Sequence, residues 1–217
     1  MEPVTSTLRA NAAPVAVAAT GSLALLGTGI ASGHGNWPVY AFMVAVGAGI
    51  VVAVHRRVRL SRTTIWGLVV FALGHLAGGL VAVGDGILYQ VWLVDGLIRY
   101  DNVQHAVGFG FVGRAVWESL RPRIAPSPGD RALTVWIVVL GACGAGAINE
   151  IAEYLLTLVL EEHQVGGYDN TARDLIANLV GGLTIGWWTS RRHENARASP
   201  LPRRPRPADR DENVADR

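Results

Sequence analysis

The sequence predicts an all-α fold, a polytopic transmembrane helical bundle of about six spans with both termini cytoplasmic. Half of the 217 residues are hydrophobic and only 17% are charged, against roughly a quarter in an ordinary soluble domain. The charges are clustered, so long apolar stretches run between them. Arginines and tryptophans recur at the ends of those stretches.

A bilayer accounts for this distribution, because an ionisable side chain in hydrocarbon costs about 2.5–3.5 kcal/mol even on the lenient insertion scale. A spanning helix needs about 20 mostly apolar residues. The windows 13–32, 38–54, 63–83, 100–120, 132–160 and 171–190 meet that need and together form a transmembrane domain over 13–190. Residues 1–12 make a short cytoplasmic N-terminus. The first window, preceded by Arg9, also has the look of a signal peptide. Its apolar run is long and no clear cleavage site follows, so a retained helix is expected.

Arginine placement orients the set. The loop 55–62 holds four arginines and 121–131 holds three, whereas 33–37 has none and 84–99 and 161–173 have one each. The positive-inside rule then puts both termini in the cytoplasm, which requires an even number of spans. Trp66, Trp117, Trp136, Trp187 and Trp188 fall at the inner boundaries and Trp37 and Trp92 at the outer ones, as an interfacial belt would have them. The segment 84–99 is too short to span, yet it carries Ile87, Leu88, Val91, Trp92, Leu93 and Val94, and it is expected to lie in or dip into the outer interface. The tail 191–217 is rich in arginine, proline and acids and is expected to be disordered.

The net charge is +2, but the residues after Thr189 hold eight arginines against five acids, which leaves −1 for the rest of the chain. No nucleic-acid footprint survives that subtraction. The bilayer is the expected partner; the oligomeric state is not legible. The one cysteine, Cys143, excludes an intramolecular disulfide. Pairs of glycines four apart, such as Gly74/Gly78 and Gly182/Gly186, point to close helix packing.

The informative residues are polar and sit inside the spans. Asp101 and His105 are four apart on the fourth, hence on one face. Asn149, Glu150 and Glu153 lie on the fifth, and Arg173, Asp174 and Asn178 on the sixth, while the third contributes His75. Glu150 is roughly 27 Å along its helix from the inner face, at 1.5 Å rise per residue, which reaches the outer part of a ~30 Å core. Asp101, His105, Asp174 and Asn178 enter from the outer side, and His75 lies at or just past mid-membrane. The set is therefore expected to form one layer in the outer leaflet. Arg114 and Glu118, one turn apart at the opposite end, can pair with each other.

Carboxylates with an imidazole are ligands for a divalent cation, and Asp101, His105, Glu150 and Asp174 are the candidate metal set. The same groups with Glu153 and Arg173 could act as general acid and base or as a proton relay. A structural alternative pairs Asp101 with His105 and Glu150 with Arg173 and only locks helices. His75, Asn149 and Asn178 are as readily interhelical hydrogen-bonders. Glu161, Glu162 and His163 read as a solvated loop. Asp169, Asn170 or Thr171 can cap the last helix, which Asp174 suits in its first turn.

The runs Arg99-Tyr-Asp-Asn-Val-Gln-His105, Asn149-Glu-Ile-Ala-Glu153 and Gly167-Tyr-Asp-Asn-Thr-Ala-Arg-Asp-Leu-Ile-Ala-Asn178, with Gly181-Gly182 and His75-x-x-Gly78-Gly79, resemble the YjdF-type family of bacterial inner-membrane proteins, whose function is unassigned. The wider pattern of Asp-x-x-x-His, an acid, and Arg-Asp-x-x-x-Asn is similar to VanZ-like proteins, named for glycopeptide-antibiotic tolerance. The match covers roughly residues 70–186. YjdF-type proteins often carry a glutamine-containing run before the last helix, where this chain has Asp169-Asn170-Thr171 instead. The resemblance implies an inner, plasma-membrane location and a residue set, but no activity. Three roles stay open: an enzyme on an envelope or lipid-linked substrate, a binder or transporter of a cation, proton or envelope compound, and a membrane scaffold.

Overall fold

A computed structural model describes residue 9 and residues 11–124, 130–159 and 166–198, with side chains as far as residue 192. Most of the N-terminus before the first span, the acidic loop at Glu161, Glu162 and His163, and the tail from residue 199 lie outside the described residues. The fold is an all-α bundle. Its helices are α1 (Ala12–Ala31), α2 (Trp37–Val58), α3 (Arg62–Leu80), α4 (Tyr100–Ile124), α5 (Arg131–Thr157) and α6 (Tyr168–Ala198).

The ends of these helices follow from local chemistry. Pro38 sits in the first turn of α2, where its missing N–H is no loss, and Arg59 closes that helix in a left-handed conformation. Ser61 caps α3 by accepting from the Thr64 amide at 3.3 Å, and Asp130 caps α5 by accepting from the Leu133 amide at 3.0 Å. Helix α6 runs on to Ala198, into the stretch expected to be tail. The residues after Ser190 are ordinary helix formers, and the first proline comes only at Pro200.

Four helices among the described residues, α1, α2, α3 and α5, are long and apolar enough to cross a membrane on length and composition. The other two, α4 and α6, carry more charged residues, and with α5 they form the most closely packed part of the bundle. Burial among neighbours is what lets helices of that composition sit here. The core consists of Leu76, Leu80, Phe109, Trp117, Val138, Val139 and Ala142. Trp117 is thus an interior residue, only 2% exposed, rather than a lipid-facing belt tryptophan. Apolar burial does not by itself drive helices together in lipid, so close approach matters. A Cβ at Gly181 would strike the Ala106 carbonyl oxygen of α4. Gly181→Val is therefore expected to cost about 1–3 kcal/mol, as overpacking does, read as a lowered melting temperature in detergent.

The connection from α3 to α4, too short to span, has a regular structure of its own. It folds as two small hairpins, β1 (Ala82–Val83) with β2 (Gly86–Ile87) and β3 (Trp92–Val94) with β4 (Ile98–Arg99). A single 3-10 turn, Leu88–Gln90, joins them. Gly84 and Gly96 take φ of 59° and 67° in the two turns. The segment folds over one end of the bundle, with Ile87 only 3% exposed and Tyr89 reaching His75.

Candidate functional site

Beneath the hairpins lies a cavity of about 330 Å³, lined from α2, α3, α4, α5 and the start of α6. Helix α4 places Asp101 and His105 one turn apart, with His105 Nε2 3.7 Å from Asp101 Oδ1. Helix α5 brings Glu150 to the other side of the same imidazole, Oε1 lying 3.8 Å from His105 Nδ1. Helix α6 supplies Asp174 and Asn178, both fully buried. Oxygen and nitrogen atoms of Asp101, His105 and Asp174 fall within 4.8 Å of one another, as do those of His105, Glu150 and Glu153. His105 belongs to both groups.

Hydrogen bonds fix some of these side chains. Asp174 accepts from Asn102 at 2.9 Å and from Asn170 at 2.6 Å, and Asn170 also reaches Asp101 at 3.4 Å. Glu153 accepts from Asn149 at 2.7 Å. His75 Nδ1 is 2.6 Å from the Tyr89 hydroxyl. Tyr89 seats there because Gly78 leaves room, since a Cβ at that position would meet its ring at 2.6 Å. Burial pushes the Tyr89 phenol well above its ordinary value, with Asp101 adding to the shift, so it stays protonated.

Other atoms at this end make no hydrogen bond. Both carboxylate oxygens of Glu150, His105 Nδ1, His75 Nε2 and Arg99 Nε are buried without a hydrogen bond. At 3.8 Å the His105–Glu150 approach is too long to count as one.

Of the residues singled out in the sequence, the structure brings Asp101, His105, Glu150, Glu153 and Asp174 together, with His75 and Asn149 on the cavity wall and Asn178 buried in the same layer. Arg173 is the correction. It follows the loop instead, its Nε donating to Asp169 at 2.8 Å and its NH1 group to the Gly96 and Leu97 carbonyls at 3.2 and 3.3 Å. One residue along a helix is a turn of about 100°, so with Asp174 facing inward Arg173 cannot. The Glu150–Arg173 ion pair of the structural alternative is accordingly absent among the described residues, whereas the Asp101–His105 approach is present.

Several wall residues were not singled out. Tyr40 comes from α2, a helix with no motif, and its ring lies 5.3 Å from His75. Arg99 and Gln104 also line the wall, as does Asn170, whose place near the start of α6 equally suits a helix cap. Gln104 donates to the Phe71 carbonyl at 2.5 Å, closing the floor.

The opposite end of the bundle holds a contrasting network. Arg114 and Glu118 pair at 3.2 Å, both buried. Glu118 also accepts from the Ser61 amide, the Ser61 hydroxyl and the Thr64 hydroxyl at 2.7–2.8 Å. Arg114 donates to Thr64 at 2.9 Å and Thr189 at 2.7 Å and lies 4.8 Å over the Trp188 ring. No side-chain nitrogen or oxygen of these two charged residues is left buried and unpaired.

Residues 13–195 match the model of a family described as Predicted membrane protein (DUF2238), in which YjdF-type proteins are also found. No curated protein and no solved structure matches the chain. The chain belongs to that membrane-protein family.

Proposed function

We propose, with that membership as premise, that the chain is a plasma-membrane protein whose cavity holds a divalent cation near the outer face and uses it, with the same carboxylates as acid and base, on an envelope or lipid-linked substrate. One observation carries this reading. Two buried polar clusters occupy the two ends of one bundle, and of the two only the Arg114–Glu118 pair leaves no side-chain nitrogen or oxygen of its charged residues buried without a hydrogen bond. A cluster that merely locked helices together would do likewise, because an unpaired buried polar atom costs about 1–3 kcal/mol. The cavity cluster leaves Glu150 and His105 with unsatisfied atoms instead.

Asp101, His105 and Asp174, or His105, Glu150 and Glu153, would hold the ion, and the carboxylate and imidazole donor set suits a hard or borderline divalent metal. A bound cation supplies Lewis acidity and lowers the pKa of bound water. Asn102, Asn170 and Asn149 orient the carboxylates, as outer partners of metal ligands do. Below the cavity, Val138, Val139 and Ala142 are buried and apolar, which favours a closed site over a through-pathway. Outward placement rests on arginine asymmetry, and the VanZ-like likeness on motif spacing alone.

Metal analysis of purified protein tests the reading. Wild type and Arg173→Ala are expected to retain one equivalent of Mn²⁺ or Zn²⁺ after dialysis, and Asp101→Asn and Glu150→Gln to retain less. Equal retention in all four, or none in any, would remove it.

A further inference from the structure

The acidic side of the cavity is only half of its lining. The other half offers donors. Arg99 lies on the wall with its guanidinium carbon 4.4 Å over the Trp92 ring. Its NH1 group reaches only the Asn170 oxygen, at 3.5 Å, and its Nε is buried without an acceptor. Among the described residues no ion pair pins it, although its charge acts on the Asp101 carboxylate across the cavity wall. A stacked guanidinium is pre-organised, and its planar fork matches an oxyanion.

Hydrogen-bond accounting gives His75 the same character. If the Tyr89 hydroxyl donates to His75 Nδ1, the imidazole carries its proton on Nε2 and a single N–H is left over. If the imidazole donated instead, both the phenol proton and the Nε2 lone pair would be buried without partners. The first arrangement leaves fewer orphans. His75 Nε2 is thus a donor without an acceptor on the cavity wall, not a metal ligand. The Tyr40 ring beside it adds a phenol.

The rest of the lining is apolar: Val39, Met43, Phe71, Phe109 and Leu156. Helix α2, which bears Val39 and Met43, has no buried residue along its length, and among the described residues it makes at most slight contact with α5, which bears Leu156. That leaves a seam in the wall between α2 and α5 among the described residues.

We propose that the cavity takes the terminal phosphate of a membrane lipid, held by Arg99, His75 and Tyr40 on one side and by the bound cation on the other, with the lipid chain leaving through the seam between α2 and α5. The inference rests on the cation reading above, since four carboxylates would otherwise repel an anion. A terminal phosphate fits better than a diester. Guanidinium, imidazole N–H and cation together ask for three acceptor oxygens on one group, and a diester has two unesterified ones. A soluble phosphate would leave the apolar half of the lining unused.

The test uses the full chain in phosphatidylcholine nanodiscs with phosphatidic acid, chain-matched diacylglycerol or free inorganic phosphate, each with Mn²⁺ or with EDTA. Retained lipid and bound Mn²⁺ are read by native mass spectrometry. With Mn²⁺, phosphatidic acid is expected to be retained over diacylglycerol, and inorganic phosphate to compete poorly. Arg99→Gln, and separately His75→Phe, should each weaken retention about tenfold to hundredfold, the worth of one charge-assisted hydrogen bond, while Mn²⁺ still binds. Mn²⁺ binding with no preference among lipids, or with retention unchanged in both variants, overturns the headgroup site and leaves the cation reading standing. Retention that needs Arg99 but is the same in EDTA overturns the cation reading instead. Equal competition by inorganic phosphate overturns the lipid assignment.

Discussion

His105→Ala is expected to abolish cation binding, a larger loss than any single carboxylate substitution produces. The imidazole is the one side chain common to both carboxylate groups, with Asp101 at 3.7 Å from one nitrogen and Glu150 at 3.8 Å from the other. Removing Asp174 leaves the α5 group intact, and removing Glu153 leaves the α4–α6 group intact. Removing His105 leaves neither. Loss of an outer partner alone costs roughly 10–100-fold in metal affinity, so loss of the shared ligand should exceed that range. Titration calorimetry with Mn²⁺ on folded variants decides it, and a His105→Ala protein that binds like wild type would show that the imidazole is a packing residue.

Glu118→Ala should produce the largest loss of stability, about 3–5 kcal/mol, because it leaves the Arg114 guanidinium buried without its counter-charge. Thr64 and Ser61 lose their acceptor in the same step. That network joins the cap of α3 to α4, and through Thr189 to α6, so the damage should be global rather than confined to one helix. Denaturant unfolding in detergent measures it. The double variant Arg114→Met/Glu118→Leu is expected to recover part of the loss, since replacing both ions by apolar groups removes the orphaned charge. A Glu118→Ala protein as stable as wild type would mean that the pair is solvated.

The helices were legible because hydropathy and length report directly on what a bilayer tolerates. The convergence of Asp101 and His105, and of Asp174 and Asn178, was legible because four residues make about one turn. Depth along each helix could also be counted from the sequence. Rotation about the helix axis could not, and that is where Arg173 was misplaced. It adjoins Asp174 in sequence and faces the hairpin in space. Tyr40 was invisible for a related reason: α2 has no internal polar pattern, so nothing in its sequence says which side meets His75. The hairpins did leave a signal. Asp95-Gly96 between Trp92–Val94 and Ile98 is a short turn between β-prone residues.

The two faces of the His105 ring set a limit on stoichiometry. A neutral imidazole has one lone pair and one N–H, so an ion seated on the Asp101 and Asp174 side requires the proton to sit toward Glu150, and the reverse. The two seats are then alternatives rather than neighbours. A single ion could shuttle between the α4–α6 carboxylates and those of α5 only as a proton crosses the ring in the opposite sense, an exchange that couples cation position to tautomer within one residue.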